Sequence, residues 1–395
     1  MKVAYLTHYA DLYGANRCML DLMLQAREAH GVEPHVLLAA DGPLTAELDR
    51  HGIPHAVLPW QPWVDRHVYM GGPHHRIMQH YRRWRKVRAR AAHNAALVPR
   101  LAAQARAWDI GLLHVNSSVI GIGGALARAL GVPWIWHVRE LFGLHYGYQA
   151  DGGPRAFARA LRQADAVLAM SAAVRAELLR EAGGDLPVEV VYDGVYTKAQ
   201  AGDLAARGQE RWARTTPFRF VLVALFHPGK GQLEAVEALA QVRARGADAQ
   251  LVLVGGGEVG PVVKCIEELA LKPHVKLTGF VPDAMPHILG AHCALSCSRH
   301  EAYGRATLEA LTSGIPVIGH ASGGTPELID HRRTGLLYQH PGELRDHMLE
   351  LCDDPQWAWY MGQAAMEGFA AQRSIEAMAH EVVRVYWAVL RRPLP

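Results

Sequence analysis

Short apolar runs rich in valine, isoleucine and leucine alternate with longer stretches of helical period along most of the chain, and this alternation constrains the fold more than any other feature. A strand covered on both faces reads as an unbroken apolar run, and parallel strands need a crossover helix between them. The pattern therefore calls for an α/β architecture with doubly wound parallel sheets. The spacing predicts strands at Val3 to Thr7, His35 to Leu38, Leu112 to Val115, Trp134 to Val138, Ala166 to Met170 and Val188 to Val191. A polar, alanine-rich stretch from Lys198 to Thr216 interrupts the pattern. It resumes with strands at Phe220 to Leu225, Gln250 to Val254, Val275 to Thr278, Ala294 to Ser296, Pro316 to Gly319 and Gly335 to Leu337. Trp359, Met366, Phe369, Met378, Val382, Val385 and Val389 then recur at helical spacing, so two helices are expected over Pro355 to Leu390. The division expected is a first domain over 1–192, with 376–395 as a candidate to pack back on it, and a second over 193–375.

The chain has 395 residues, half of them hydrophobic, and 41 basic against 38 acidic residues give a formal charge of +3. Two ordinary cores fit that length, whereas a small disulfide scaffold or a coiled-coil rod does not. Five cysteines are an odd number in a long chain and suit a reducing compartment, so a cytoplasmic protein is expected. The start, Met1 to Gly14, has one lysine and only a short apolar run before Asp11, which reads as a first strand rather than a signal peptide. The longest uncharged stretch, Ile110 to Ala127, holds His114, Asn116, Ser117 and Ser118 and would leave polar groups unpaired in lipid.

Charge is strongly uneven in one place. Between Asp65 and Asp109 there is no acidic residue, while Arg66, Arg76, Arg82, Arg83, Arg85, Lys86, Arg88, Arg90, Arg100 and Arg106 are basic. Ile77, Tyr81, Trp84 and Val87 fall on one side of a helix within that stretch. Two readings stand: residues 76–106 form a peripheral contact with an anionic membrane at its inner face, or the apolar stripe packs on its own domain. Nucleic acid is not expected, because acidity elsewhere is ordinary and no reading motif is present.

The richest stretch in chemistry is Ser298-Arg-His-Glu-Ala-Tyr-Gly-Arg-Ala-Thr-Leu-Glu-Ala-Leu-Thr-Ser-Gly-Ile-Pro-Val-Ile. A buried strand runs into a loop, a helix starts near Gly304, and Gly314 can end it before the next strand. Ligands of open α/β sheets lie at the carboxyl ends of strands, where this loop sits, and a helix amino terminus suits phosphate or sugar hydroxyls. Glu301 lies in the loop, and Glu309 about one and a half turns into the helix, where a carboxylate can accept two hydrogen bonds from a ribose diol.

These residues resemble the E-x7-E signature of the family 4 retaining glycosyltransferases, with Tyr303-Gly304 between the acids and Gly314-Ile-Pro-Val after them. Gly323-Gly-Thr-Pro-Glu, Thr334-Gly-Leu-Leu, Leu251-Val-Leu-Val-Gly-Gly-Gly and Asp193-Gly-Val resemble further segments of the family in the same order. The resemblance implies the GT-B fold, two Rossmann-like domains facing across a cleft, and transfer of a sugar from a nucleotide-diphosphate sugar with retention of configuration. By it, Glu309 would bind the donor ribose, Glu301 would lie beside the transferred sugar, and the backbone at Tyr303, Gly304, Arg305 and Ala306 would meet sugar hydroxyls. Lys230, in His227-Pro-Gly-Lys-Gly, would offset the charge of the leaving diphosphate.

The family pairs this lysine with an arginine five residues earlier, and here that position is Leu225; Arg299, Arg305 or His227 are the candidate substitutes. Gly14 and Ala15 match the glycine-rich first loop that approaches the diphosphate, and His137 matches a histidine that touches the donor sugar. Asn116, Ser117, Ser118, Arg139 and Glu140 are acceptor-side candidates. With no Asp-x-Asp and no His-Glu-x-x-His, neither a metal nor another cofactor is expected. The acceptor expected is a saccharide or a lipid-linked precursor of glycolipid or surface polysaccharide. Two rivals remain: a protein of the same fold that binds nucleotide sugar without transferring it, and an epimerase or phosphorylase on the same scaffold.

Overall fold

The computed structural model describes residues 1–66, 73–144 and 147–391. Residues 67–72, inside the basic stretch, and 392–395, in the segment expected to return to the first domain, lie outside them. Two compact units divide the chain, Met1–Tyr192 with Met378–Pro395, and Asp193–Ala377.

The first unit has strands β1 (Lys2–Thr7), β2 (Glu33–Leu38), β3 (His55–Val57), β4 (Val64–Arg66), β5 (Leu112–Asn116), β6 (Trp134–Val138), β7 (Tyr148–Ala150), β8 (Ala166–Ala169) and β9 (Val188–Val190). Its helices are α1 (Gly14–His30), α2 (Pro43–Arg50), α3 (Pro73–Ala107), α4 (Gly123–Leu130), α5 (Gly153–Leu161) and α6 (Ala172–Ala182). Seven strands form one parallel sheet in the order β3-β2-β1-β5-β6-β8-β9. The order reverses between β1 and β5, which places the switch point of this Rossmann-like sheet above their carboxyl ends. β4 and β7 pair apart from it as an antiparallel ribbon, with Asp65 opposite Gln149.

The second unit has β10 (Phe218–Val223), β11 (Ala249–Val254), β12 (Val275–Gly279), β13 (Cys293–Ser296), β14 (Val317–His320) and β15 (Gly335–Tyr338). Helices α7 (Lys198–Arg207), α8 (Gln232–Ala244), α9 (Gly260–Glu268), α10 (Met285–Leu289), α11 (Arg305–Thr312), α12 (Pro341–Asp353) and α13 (Pro355–Gln372) surround them, and α14 (Ile375–Leu390) ends the chain. The sheet runs β12-β11-β10-β13-β14-β15, all parallel, with its switch point between β10 and β13. Phe218, Phe220, Leu251, Leu253, Val236 and Leu239 are buried between this sheet and α8, so the apolar runs fix which strands are central.

Three strands escape the sequence pattern. β3, β4 and β7 are three residues each and carry His55, Asp65 and Gln149, too short and too polar to read as buried runs. The strand expected to reach Leu225 ends at Val223. Beyond it the chain keeps only an isolated bridge, Phe226 to Gly257, and Leu225 turns outward, 52% exposed.

The 35-residue α3 has two halves. Leu97, Leu101, Ala102 and Ala105 bury its later turns, whereas Ile77, Tyr81 and Trp84 are 67%, 54% and 54% exposed. The expected stripe at Ile77 to Trp84 therefore does not pack on its own unit. The join between the halves is Arg90, buried, whose Nε donates to Asp151 Oδ2 at 2.8 Å and whose guanidinium also donates to the Val64 carbonyl at 3.1 Å. Removing one partner of such a buried pair would leave an uncompensated charge, so this contact sets where α3 leaves the β4–β7 ribbon.

Candidate functional site

The carboxyl ends of β10 and β13 flank the switch point of the second sheet, and the two following turns carry Lys230 and Glu301. After β10 the chain reaches a 3-10 turn at Pro228–Lys230, with His227 Nδ1 accepting from the Gly229 N–H at 3.1 Å. After β13 it passes Cys297 to Gly304 and enters α11. The two turns are sewn together: Arg299 N–H donates to the Gly229 carbonyl at 3.2 Å, and Lys230 Nζ donates to Glu301 Oε2 at 2.7 Å. Both charged side chains are mostly covered, 17% and 19% exposed.

Two glycines permit this closeness. At Gly231, φ is +72° and a β-carbon would stand 2.4 Å from the Cys297 carbonyl oxygen. At Gly323, φ is +60° and a β-carbon would stand 2.2 Å from the Glu301 carbonyl oxygen. A third turn, after β14, thereby packs on the Glu301 backbone, and Gly324 N–H donates to the Glu301 carbonyl at 2.7 Å.

Glu309, on α11, lies one turn beyond Arg305, whose Nε donates to Glu309 Oε1 at 2.8 Å. Gly304 precedes the helix with φ 97° and offers no side chain to cap it, so the first-turn N–H groups face the loop. Tyr303 is buried, which leaves its backbone rather than its ring for a ligand, and Ala306 is half-buried in the first turn. Of the cations weighed in place of an arginine at 225, Arg305 is bound to Glu309, His227 caps its own turn, and Arg299 is largely exposed with its guanidinium 4.0 Å from Glu234.

In the first unit the candidates gather at the carboxyl ends of β1, β5 and β6. Gly14 and Ala15, expected in a loop, form the first turn of α1. Buried Asn16 shapes the loop before them: it accepts from Thr7 Oγ1 at 2.7 Å and donates to the carbonyls of Tyr9 and Asp11 at 3.0 and 2.8 Å. Sequence reasoning missed Asn16, and its only signal is an uncharged polar residue on the buried face of an amphipathic helix. Asn116 accepts from Arg139 Nε and donates to the Ala15 carbonyl at 3.3 Å.

Glu140 accepts from Ser117 Oγ at 2.5 Å and from Ser118 Oγ at 2.7 Å. Ser117 holds φ 145°, a strained conformation that these bonds over-determine. Glu140 and the serines are therefore committed to one another.

His137 departs from its expected place at a ligand. It lies within β6, wholly buried, with neither ring nitrogen partnered among the described residues. Burial, then Arg139 and His114, hold its pKa well below the ordinary range, so it is a neutral core group with no surface to offer. The run Trp134 to Val138 is covered on both faces, and His137 is covered with it.

Among the described residues no group of three or more His, Cys, Asp or Glu could hold a metal ion, and no helix is long and apolar enough to cross a membrane. Two family models match consecutive parts of the chain, Glycosyltransferase Family 4 over residues 13–199 and Glycosyl transferases group 1 over 208–367. The chain belongs to glycosyltransferase family 4. A family relative is the GDP-mannose-dependent alpha-(1-6)-phosphatidylinositol monomannoside mannosyltransferase of Mycobacterium tuberculosis, 33% identical over 54% of this chain and 60% of that protein. Another is the alpha-D-kanosaminyltransferase of Streptomyces kanamyceticus, 29% identical over 58% of this chain and 61% of that protein. The chain thus spans about 60% of the length of these curated relatives. Among solved structures, Anabaena HepE in complex with UDP aligns over 98% of this chain and 100% of that one, with a TM-score of 0.77 and 22% identity. That likeness carries the GT-B fold, two Rossmann-like units of parallel sheet and helix.

Proposed function

We propose that this protein moves a sugar from a nucleotide-diphosphate sugar to an acceptor hydroxyl. The observation that carries the reading is the Lys230–Glu301 contact, which gathers a cation and a carboxylate at the switch point where such sheets bind ligands. The Lys230 ammonium is the group to meet the diphosphate, and Glu301 stands beside the sugar. Glu309 keeps Oε2 for the ribose diol while Oε1 holds Arg305. The first turn of α11 supplies N–H donors for an anion or for sugar hydroxyls.

In the reaction the anomeric carbon–oxygen bond to the diphosphate breaks with its electron pair going to phosphate. The acceptor oxygen attacks from that same face, and its proton passes to a phosphate oxygen. Configuration is then retained, positive charge on the sugar is offset locally, and Lys230 offsets the charge of the leaving group. No metal is assigned to this step, because Lys230 and the α11 amino terminus supply the positive charge at the phosphates. On the first unit, buried Arg139 bonds to buried Asn116 and buried Ser117 to Glu140, and we assign the acceptor side to this cluster, with half-buried Glu140 as its accessible part.

The acceptor class is glycolipid or polysaccharide precursor. The M. tuberculosis relative, named for a phosphatidylinositol mannoside, supports this, as does the exposed basic and aromatic half of α3, where Tyr81 stacks on Trp84 and Arg88 covers the Trp84 ring at 4.8 Å. That half is suited to lie on an anionic membrane face from the cytoplasmic side. The second reading, nucleotide-sugar binding without transfer, is favoured by Leu225, which points outward where a diphosphate-binding arginine would stand.

Incubating wild type and Glu301→Ala with GDP- and UDP-sugars separates the two readings. Release of nucleoside diphosphate by wild type, lost in the variant, supports transfer; tight donor binding with no release by either protein replaces it with the binding reading.

A further inference from the structure

A groove of about 600 Å³ lies between α5 and α6 of the first unit, and Arg155, Arg159, Arg162 and Arg180 line it against a single acid, Glu181. Four cations less one carboxylate leave +3 on its walls.

The fold does not need that charge. Arg155, Arg159 and Arg162 repeat at the i, i+4, i+7 positions of one helical face, while Phe157, Ala158 and Leu161 bury the other. Like charges at that spacing repel, and α5 has no acid in its first turn, so Arg155 also sits at the end of the helix dipole that disfavours a cation. Two of the four have local work. Arg162 donates to the Ala182 carbonyl at the end of α6, and Arg180 pairs with Glu177 and Glu181 at 3.6 and 3.5 Å. Arg155 and Arg159 have no hydrogen bond or ion pair among the described residues. Both are exposed to solvent, so their guanidinium groups are free to meet an anion in the groove.

We infer that this groove seats the phosphate of an anionic lipid headgroup. The guanidinium fork matches phosphate oxygens. Asp151, which holds Arg90 of α3, stands four residues before Arg155, so the basic helix and the arginine face of α5 leave the same β4–β7 joint. The inference rests on the membrane reading of α3 given above.

The test is flotation of the full chain with vesicles of phosphatidylcholine containing phosphatidylglycerol as the minor component. Arg155→Gln/Arg159→Gln is expected to lower partitioning about thirtyfold, the effect of two cations at an anionic surface. The charge-matched control Lys264→Gln/Lys272→Gln, on α9 and in the turn that follows it, should stay within about twofold of wild type. Thermal melts establish that each variant is folded. Equal losses in both variants would reduce the groove to diffuse charge and overturn the assignment. A rise in melting temperature with inorganic phosphate that Arg155→Gln/Arg159→Gln abolishes, together with equal flotation of the two proteins, would assign the site to free phosphate instead of lipid. Wild type that floats, with Tyr81→Ser/Trp84→Ser lost and the arginine variant unaffected, would leave the membrane reading standing and sink only the groove. Wild type that never floats would sink both.

Discussion

Lys230 and Glu301, 71 positions apart, meet at 2.7 Å because the turns after two neighbouring strands are bonded through their backbones. Groups that act as a unit are not additive. Lys230→Ala and Glu301→Ala are each expected to lower kcat by about 10² to 10³, and the double variant to be little worse than the poorer single. Steady-state kinetics of the four proteins decide it; losses that multiply would mean the two side chains act separately.

Glu309 is expected to act in binding rather than in the chemical step. A hydrogen bond to a charged group is worth about 1.5 to 3 kcal/mol, so Glu309→Ala should raise the donor KM about tenfold to a hundredfold with kcat nearly kept. The melting-temperature rise produced by UDP or GDP should shrink in parallel. A fall in kcat at unchanged KM would contradict the ribose assignment.

Leu225 offers a gain-of-function experiment. It is exposed, its carbonyl alone is engaged, by Gln232 Nε2 at 2.9 Å, and its side chain can be lengthened without disturbing a core. Leu225→Arg should raise kcat/KM for the nucleotide sugar by about tenfold, the effect of one added charge-assisted contact. Unchanged or lower kcat/KM would place the diphosphate elsewhere.

Gly323→Ala combines a left-handed backbone with a collision against the Glu301 carbonyl oxygen at 2.2 Å. Backbone strain alone costs about 1 to 3 kcal/mol, so the second unit should melt several degrees lower and donor turnover should fall with it. Alanine at Gly260, where no atom lies within 4 Å of the added carbon and φ is not in the left-handed range, should be neutral by the same calorimetry.

Acid should weaken the first unit through its buried histidines. Burial and then Arg139 bring His114 down to about 3, and His137 is held well below its ordinary value by burial, Arg139 and His114. Both folded values lie beneath the unfolded one, so the unfolded chain takes up protons that the folded chain refuses. The stabilisation is complete above about pH 6.5 and is lost progressively as the pH drops toward the folded values. Each such histidine adds up to about 1.4 kcal/mol per pH unit to the slope, and His137→Leu should flatten the dependence of unfolding free energy between pH 6 and 4 by about that amount. An unchanged slope would mean that His137 is protonated in the native state.

The strand pattern was readable wherever a run was long and apolar, since burial on both faces writes itself into composition. β4 and β7 were not readable, because a three-residue polar ribbon is held by its partner and by Arg90 rather than by its own side chains. At the site, Lys230 and Glu301 are named by the family resemblance, and both stand in turns after strands that pair in the sheet. The bonds from Ser117 and Ser118 to Glu140 have no sequence signal, since they depend on β5 and β6 lying side by side. For His137 the resemblance implies a donor-sugar contact, while cover on both faces of β6 encloses its ring.

The backbone seam that runs from Gly229 through Glu301 to Gly324 leaves little slack for insertion or deletion. An extra residue between Ser298 and Gly304 would have to break the carbonyl pairing on one side or the other, so this rim tolerates changes of side chain but not of length. Altering what the protein accepts would then fall to outward-facing positions such as Leu225 and Arg299, and to the turns of the first unit, while the length of the seam is held fixed by its backbone bonds.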